Sequence, residues 1–187
     1  MRLEIGSGEQ PAGGYDLHVD VLPLDGIDVV CRMEQLPFAA GSFTGLRANH
    51  VLEHQSWELV ADTVGEWARV LAPGADVDIG VPDARCRAGM WLAGDITTTE
   101  ANYWILGGHS DREAHKGVDE RGVPRWIWNA HHTLFDPQSL RDVLERCGLV
   151  VLALEPEDVC NLRARATWVA NEGLGQNGSE DRLHDRE

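Results

Sequence analysis

The sequence predicts an α/β domain, a mostly parallel sheet flanked by helices, with the last strand antiparallel. Three observations carry this. Short apolar runs are interleaved with helical patterns along the chain. The first two runs are joined by a Gly-x-Gly turn in LEIGSGEQPAGGYDLHVD, the outline of a β-α-β unit. The last two are joined by only about five residues, EPEDV, too short for a parallel crossover.

In order, residues 2–5 and 15–21 read as strands, and Ile27 to Cys31 as a third. LPFAAGSF follows as a loop marked by Pro37 and Gly41. Residues 44–49 give a fourth strand. Ser56 is the expected N-cap of a helix reaching Leu71, with Val60, Val64, Trp67, Ala68 and Leu71 at helical spacing and Pro73-Gly74 as its stop. ADVDIGV alternates, placing Ala75, Val77, Ile79 and Val81 on one face of a strand. Residues 83–131 read as an irregular insertion holding four of the seven tryptophans. Asp136 caps a helix with Pro137 in its first turn, stripe residues Leu140, Val143, Leu144 and Cys147, and Gly148 at its end. VVLALE and ARATWVA complete the sheet, which is expected to be covered on both faces. One domain thus spans 1–170, and the polar tail 171–187 is expected to be disordered.

The 187-residue chain is long enough for one full core. Its net charge of −15 repels phosphate-rich partners, so nucleic acid is disfavoured, although solubility alone also accounts for the charge. Cys31, Cys86, Cys147 and Cys160 show no C-x-x-C spacing. They read as reduced thiols in a cytoplasmic protein without a disulfide framework. No apolar run spans a bilayer, and no signal peptide is expected, because the N-terminus enters a strand directly.

A dinucleotide fingerprint needs a third glycine, a helix N-terminus at the pyrophosphate and an acidic residue about 20 positions on. Here Pro11 stands in the third position, and only 14 positions separate Gly6 from Asp20. The first crossover helix is therefore expected to be shortened or absent, and with it the row of free amides that holds a diphosphate. An adenosine ligand without phosphate, such as the sulfonium cation S-adenosylmethionine, loses nothing by this. A purely structural glycine turn remains the alternative.

Six segments in order then match one family: LEIGSG, HVD, LPF with GSF, ANHVLEH, RVLAPGA, and AHHTLF before DPQSLRDVLERCGL. In these the chain resembles the class I, Rossmann-like S-adenosylmethionine-dependent methyltransferases, over most of its length to about Leu154. It is most similar to the small ones associated with sugar, polysaccharide or natural-product modification. The resemblance implies S-adenosylmethionine as cofactor. It puts Gly6, Ser7 and Gly8 under the methionine moiety, has Glu4 orient its amino group, often through water, and puts Asp20 on the ribose hydroxyls. Met33 or Glu34 falls near the adenine, where the family often has an acidic residue at the position of Arg32, and Asn49 ends the fourth strand beside the site. The expected reaction is O-methylation of a small molecule or sugar-containing precursor. The alternatives are a non-catalytic cofactor-binding or pseudoenzyme subunit and, less favoured, a nucleotide-sugar-modifying enzyme.

Candidate bases are His50, Glu53, His54, His109, His115, His131 and His132, with His54, His109 and His131 foremost. Helix-start hydrogen bonding competes for His54, and capping and packing for His131-His132. A solvated loop competes with a lid role for His109. His50 and His54 are spaced as a metal pair, but no third ligand has useful spacing, so no metal is expected. Trp91, Tyr103, Trp104, Trp126 and Trp128 read either as the core of an added subdomain, as an acceptor pocket, or as a homodimer contact.

Overall fold

The computed structural model describes residues 1–108, 116–118 and 122–169. His109, His115 and the tail 171–187, with the domain boundary at 170, lie outside the described residues. Seven strands form one sheet: β1 (Arg2–Ile5), β2 (Leu17–Asp20), β3 (Val29–Val30), β4 (Phe43–Asn49), β5 (Leu71–Pro82), β6 (Leu149–Glu157) and β7 (Asn161–Trp168). Their order is β3-β2-β1-β4-β5-β7-β6. Neighbours are parallel from β3 to β5, and β7 is antiparallel to both β5 and β6. This is the mostly parallel Rossmann-like sheet with the expected antiparallel last strand. No described helix is long and apolar enough to cross a membrane.

Chain order reverses at the β1–β4 pair, which is the switch point where open α/β sheets bind ligands. None of the connections leading from β1 to β4 contains a helix. The first crossover helix is absent, as the short spacing predicts.

That loss is written across the sheet. On one face Leu3, Ile5, Leu46, Ala48, Val77 and Ile79 share register and are buried. Helix α1 (Val60–Val70) and helix α4 (Pro137–Arg146) complete the core over them with Val64, Trp67, Leu140 and Leu144. On the opposite face the register pairs His18 with Glu4, Glu4 with Arg47, Arg47 with Asp78 and Asp78 with Arg165. Helices were expected over both faces. Where the first-half helices would pack, the chain instead carries a ladder of charges that pair laterally: Glu4 with Arg47 at 2.6 Å, and Asp78 with Arg163 from the neighbouring register position.

Three local expectations change. Ser56 does not cap α1. Its carbonyl accepts the Leu59 amide at 2.8 Å in a preceding turn, and the helix starts at Val60. Pro73-Gly74 stops that helix but does not precede the strand. Phe43 pairs with Leu71 and Gly45 with Asp76, so Pro73-Gly74 forms a bulge inside β5. The segment 83–131 is not irregular throughout: it holds α2 (Ala84–Ala93) and α3 (Thr98–Leu106), packed on one another. Neither has an apolar stripe. Each buries a single residue, Arg87 and Ala101, so periodicity gave no signal. Asp83 caps α2, and a Thr97–Glu100 capping box starts α3.

The tryptophans of this segment are not a subdomain core. Trp91, Trp104 and Trp126 are each 40% or more exposed. The cysteines are also not all free thiols. Cys86 at the start of α2 is joined to Cys160 before β7 as a disulfide, with Cα atoms 5.4 Å apart. Cys31 and Cys147 remain thiols.

Candidate active site

One cavity opens at the switch point, beyond the carboxyl ends of the parallel strands. Gly6, Gly8, Asp20, Met33, Glu34 and His54 are among its walls, and Trp128 closes it from a 3-10 turn at Arg125–Asn129. The two glycines are needed for different reasons. Gly6 (φ 65°) ends β1 against the Val51 side chain, where a Cβ would overlap the Val51 methyls. Gly8 (φ 60°) has nothing within 4 Å of where a Cβ would stand, so its backbone borders open space.

Glu4, expected at the cofactor amino group, does not line this cavity. It is buried behind the glycine turn, and both of its oxygens are taken. Oε2 accepts the Ala12 amide at 2.7 Å and contacts His18 Nδ1 at 3.0 Å; Oε1 accepts from Arg47 at 2.6 Å. The carboxylate thus ties the loop 6–16 to strands β1, β2 and β4. Ser7 also turns inward, donating to the Glu4 carbonyl at 3.3 Å.

Asp20 stands at the end of β2 in the cavity wall. Its Oδ2 accepts the Gly8 amide at 2.9 Å, and its Oδ1 accepts the Leu22 amide at 2.9 Å. Each oxygen keeps a further lone pair for a ligand hydroxyl. The Met33 carbonyl accepts from the Trp67 indole at 2.9 Å, which fixes the β3 loop. Glu34 is held by Arg32 and by Gln55 at 3.3 Å. Asn49 is outside the wall, with its Oδ1 packed against Gly80. The Cys31 thiol is pushed up to about 11 by burial and by Asp20 and Glu34, so it is no nucleophile here. An adenosine ligand without phosphates fits these residues: a diol acceptor in Asp20 and a side-chain-free backbone at Gly8.

A second pocket adjoins the first through His50, His54 and Asn129, which line both. Its other walls include Glu53, Arg87, Tyr103, Trp104 and His131. His50 to His54 follow β4 directly, ending in a 3-10 turn at Leu52–His54. His50 takes a left-handed backbone (φ 55°) to make the corner. Glu53 is 1% exposed, and its own carbonyl receives the His132 amide at 2.8 Å and the Thr133 amide at 3.1 Å. That tie brings His131 back over the turn, and the His54 and His131 rings lie 5.2 Å apart.

The electrostatics of this group are coupled. Burial would raise the Glu53 carboxyl, but the His50 hydrogen bond at 3.2 Å and the surrounding imidazoles outweigh it and hold the group below its ordinary value. Burial depresses His131, with Glu53 opposing. The first shift favours a carboxylate at Glu53 and the second a neutral imidazole at His131. His54 Nδ1 faces the Ala130 carbonyl at 3.1 Å. A carbonyl only accepts, so Nδ1 carries the proton and Nε2 is left basic.

The structure therefore brings Gly6, Gly8, Asp20, Met33 and Glu34 to one cavity and His54 and His131 to its neighbour; Glu4, Ser7 and Asn49 stand outside both. His132 turns away toward the Ile127 carbonyl at 3.4 Å. Sequence reasoning missed Arg87. It is 7% exposed in the second pocket, with its guanidinium 4.4 Å from the Trp104 ring centroid. No spacing signalled it, because α2 has no periodic pattern.

Residues 16–77 match the model of a family described as a methyltransferase domain. No curated protein matches the sequence. Among solved structures, the chain resembles 1,6-didemethyltoxoflavin-N1-methyltransferase of Burkholderia thailandensis, bound to 1,6-didemethyltoxoflavin and S-adenosylhomocysteine. The identity is 15% and the TM-score 0.58, over 90% of this chain and 70% of that one. It also resembles the PH0226 protein of Pyrococcus horikoshii, with 12% identity and a TM-score of 0.61, over 89% of this chain and 80% of that one. A third is an S-adenosylmethionine-dependent methyltransferase of Thermotoga maritima, described as a possible histamine N-methyltransferase. There the identity is 14% and the TM-score 0.56, over 89% and 81% of the two chains. At these identities the likeness is one of fold.

Proposed function

We propose a substrate class and a chemistry for this chain, which by its matched domain and its fold is a class I S-adenosylmethionine-dependent methyltransferase with that molecule as cofactor. It O-methylates a small, hydroxyl-bearing acceptor, such as a sugar-containing precursor. The observation that carries this is the adjacency of the two pockets at His54, which has a basic Nε2 and lines both.

When bound, the cofactor supplies a methyl group on a sulfonium, which passes to the acceptor oxygen as the C–S bond breaks and S-adenosylhomocysteine is left. The residues of the chain bind, orient and move one proton. Asp20 takes the ribose diol, Gly6 and Gly8 give the methionine portion a close backbone approach, and the 33–34 segment with Trp128 flanks the adenine. Tyr103 and Trp104 offer an aromatic wall, and Asn129 and Asn161 offer amides, a mixture suited to a polyhydroxylated acceptor. His54 Nε2 takes the hydroxyl proton, while Glu53 stabilises the imidazolium that forms. An amine acceptor would not require such a base, which is why oxygen is favoured.

Calorimetry with S-adenosylmethionine, followed by turnover assays on hydroxylated sugars and phenols, tests the reading. Cofactor binding with a loss of turnover in His54→Ala supports it. Binding without turnover on any hydroxyl acceptor favours a non-catalytic subunit, and no binding at millimolar cofactor removes the enzyme reading.

A further inference from the structure

We propose that Glu53, His54 and His131 form a binding site for a divalent cation of the zinc type, placed between the cofactor cavity and the acceptor pocket. One ligand atom from each residue lies within 4.8 Å of the others. An ion bound at about 2.1 Å sets tetrahedral ligands roughly 3.4 Å apart, so the three need to close by at most about 1.4 Å.

A second observation points to a ligand. Glu53 is 1% exposed; its Oε1 is taken by His50, but its Oε2 is buried with no hydrogen-bond partner. A buried carboxylate oxygen left without a donor is costly, and ring nitrogens of His54 and His131 lie within 4.8 Å of the carboxylate. A cation satisfies it directly.

The tautomers agree. His54 gives its Nδ1–H to the Ala130 carbonyl, and His131 makes a hydrogen bond to the Ile105 backbone. A metal-binding histidine characteristically donates its other ring N–H to a carbonyl or carboxylate, which orients the ring and frees the lone pair. Glu53 receives the matching support from His50.

Two imidazoles and one carboxylate make the donor set of catalytic zinc sites, which keep a fourth position open. All three residues line the second pocket, so an acceptor oxygen can occupy the open position. With the ion bound, His54 Nε2 is a ligand and the ion, not His54, activates the acceptor hydroxyl; the base role of His54 belongs to the metal-free site. The metal pair read in the sequence is His50 with His54; Glu53 and His54 are adjacent there, but nothing marks the third ligand. His131 lies 77 positions beyond His54 and is returned to it by the Glu53 carbonyl's bonds to the His132 and Thr133 amides.

The role given to the ion rests on the methyl-transfer reading; the site does not. The test uses full-length protein, treated with chelator and dialysed against Zn2+ or Co2+. One equivalent retained per chain is expected, with a visible Co2+ spectrum of nitrogen and oxygen ligation. Glu53→Gln and His131→Gln should each weaken retention at least 10-fold, while Asp20→Ala retains the ion and loses only S-adenosylmethionine binding in calorimetry. Circular dichroism checks that the variants fold. If they do not, competition between Zn2+ and Co2+ on the wild type, read by the Co2+ spectrum, decides alone. No stoichiometric ion on wild type, a sulfur-ligated Co2+ spectrum from Cys31 or Cys147, or unchanged retention in both folded variants would overturn the site. Retention of the ion without cofactor binding would overturn the methyl-transfer reading and leave the site standing.

Discussion

Glu4 accepts the backbone amide of Ala12 at 2.7 Å from beneath the sheet's first crossover. The amide belongs to a loop that replaces a helix, and the same carboxylate holds Arg47 at 2.6 Å. A crossover helix would fix the glycine turn through packing on the sheet; here one buried charge fixes it through hydrogen bonds. Glu4→Ala leaves Arg47 with no carboxylate at this position and releases the loop. Arg47 keeps partial access to water, so the cost is that of the lost charged hydrogen bonds, about 1.5–3 kcal/mol. Urea unfolding should show a loss of that size. Calorimetry should show weaker cofactor binding although Glu4 touches no part of the cavity. An unchanged midpoint in urea would refute the tie.

The two glycines of the turn should separate stability from affinity. Gly6→Ala forces a left-handed backbone and a clash with Val51, which together cost about 2–5 kcal/mol of stability. Gly8→Ala has the same backbone penalty, about 1–2 kcal/mol, but its methyl enters open space at the cavity. Thermal melts should rank Gly6→Ala as the less stable. Cofactor titration of the folded protein should single out Gly8→Ala, and the reverse ranking would contradict this placement.

Much of this was legible in the sequence, and what was not has physical causes. The 14-position spacing from Gly6 to Asp20 disclosed the missing helix, and Asp136-Pro137 with Gly148 bracketed α4 at both ends. The consequence for the opposite face was not visible. Glu4, Arg47 and Asp78 come from three strands and become neighbours only through register. Glu4 looked like a cofactor ligand because its position matches a family motif, yet without the helix the same carboxylate turns to the loop. Helices α2 and α3 were hidden because they bury almost nothing. The Cys86–Cys160 link joins residues 74 apart with no motif spacing.

Asp20 serves two purposes, and a pair of variants should divide them. It holds the Gly8 and Leu22 amides at 2.9 Å each. Hydrogen bonds to a charged group are worth about 1.5–3 kcal/mol each. Asp20→Ala should therefore weaken S-adenosylmethionine binding by about 100-fold, the equivalent of two lost diol bonds at the low end. Asp20→Asn keeps an acceptor for one hydroxyl and should lose about 10-fold. Equal losses in the two variants would mean that the carboxylate acts only through Gly8.

The coupled group at Glu53 and His131 predicts how stability depends on pH. Both folded values lie below the ordinary ones. At acid pH the unfolded chain therefore binds more protons than the folded one, and stability rises with pH. For His131 the contribution is complete above about pH 6.5, its unfolded value, and is lost as pH falls toward the depressed folded value. For Glu53 the loss begins lower, below about pH 4.5. Chemical denaturation between pH 7 and 5 should show declining stability in the wild type and a shallower decline in His131→Gln, which has no imidazole to charge. Parallel slopes in the two proteins would show that His131 is not held neutral by its burial.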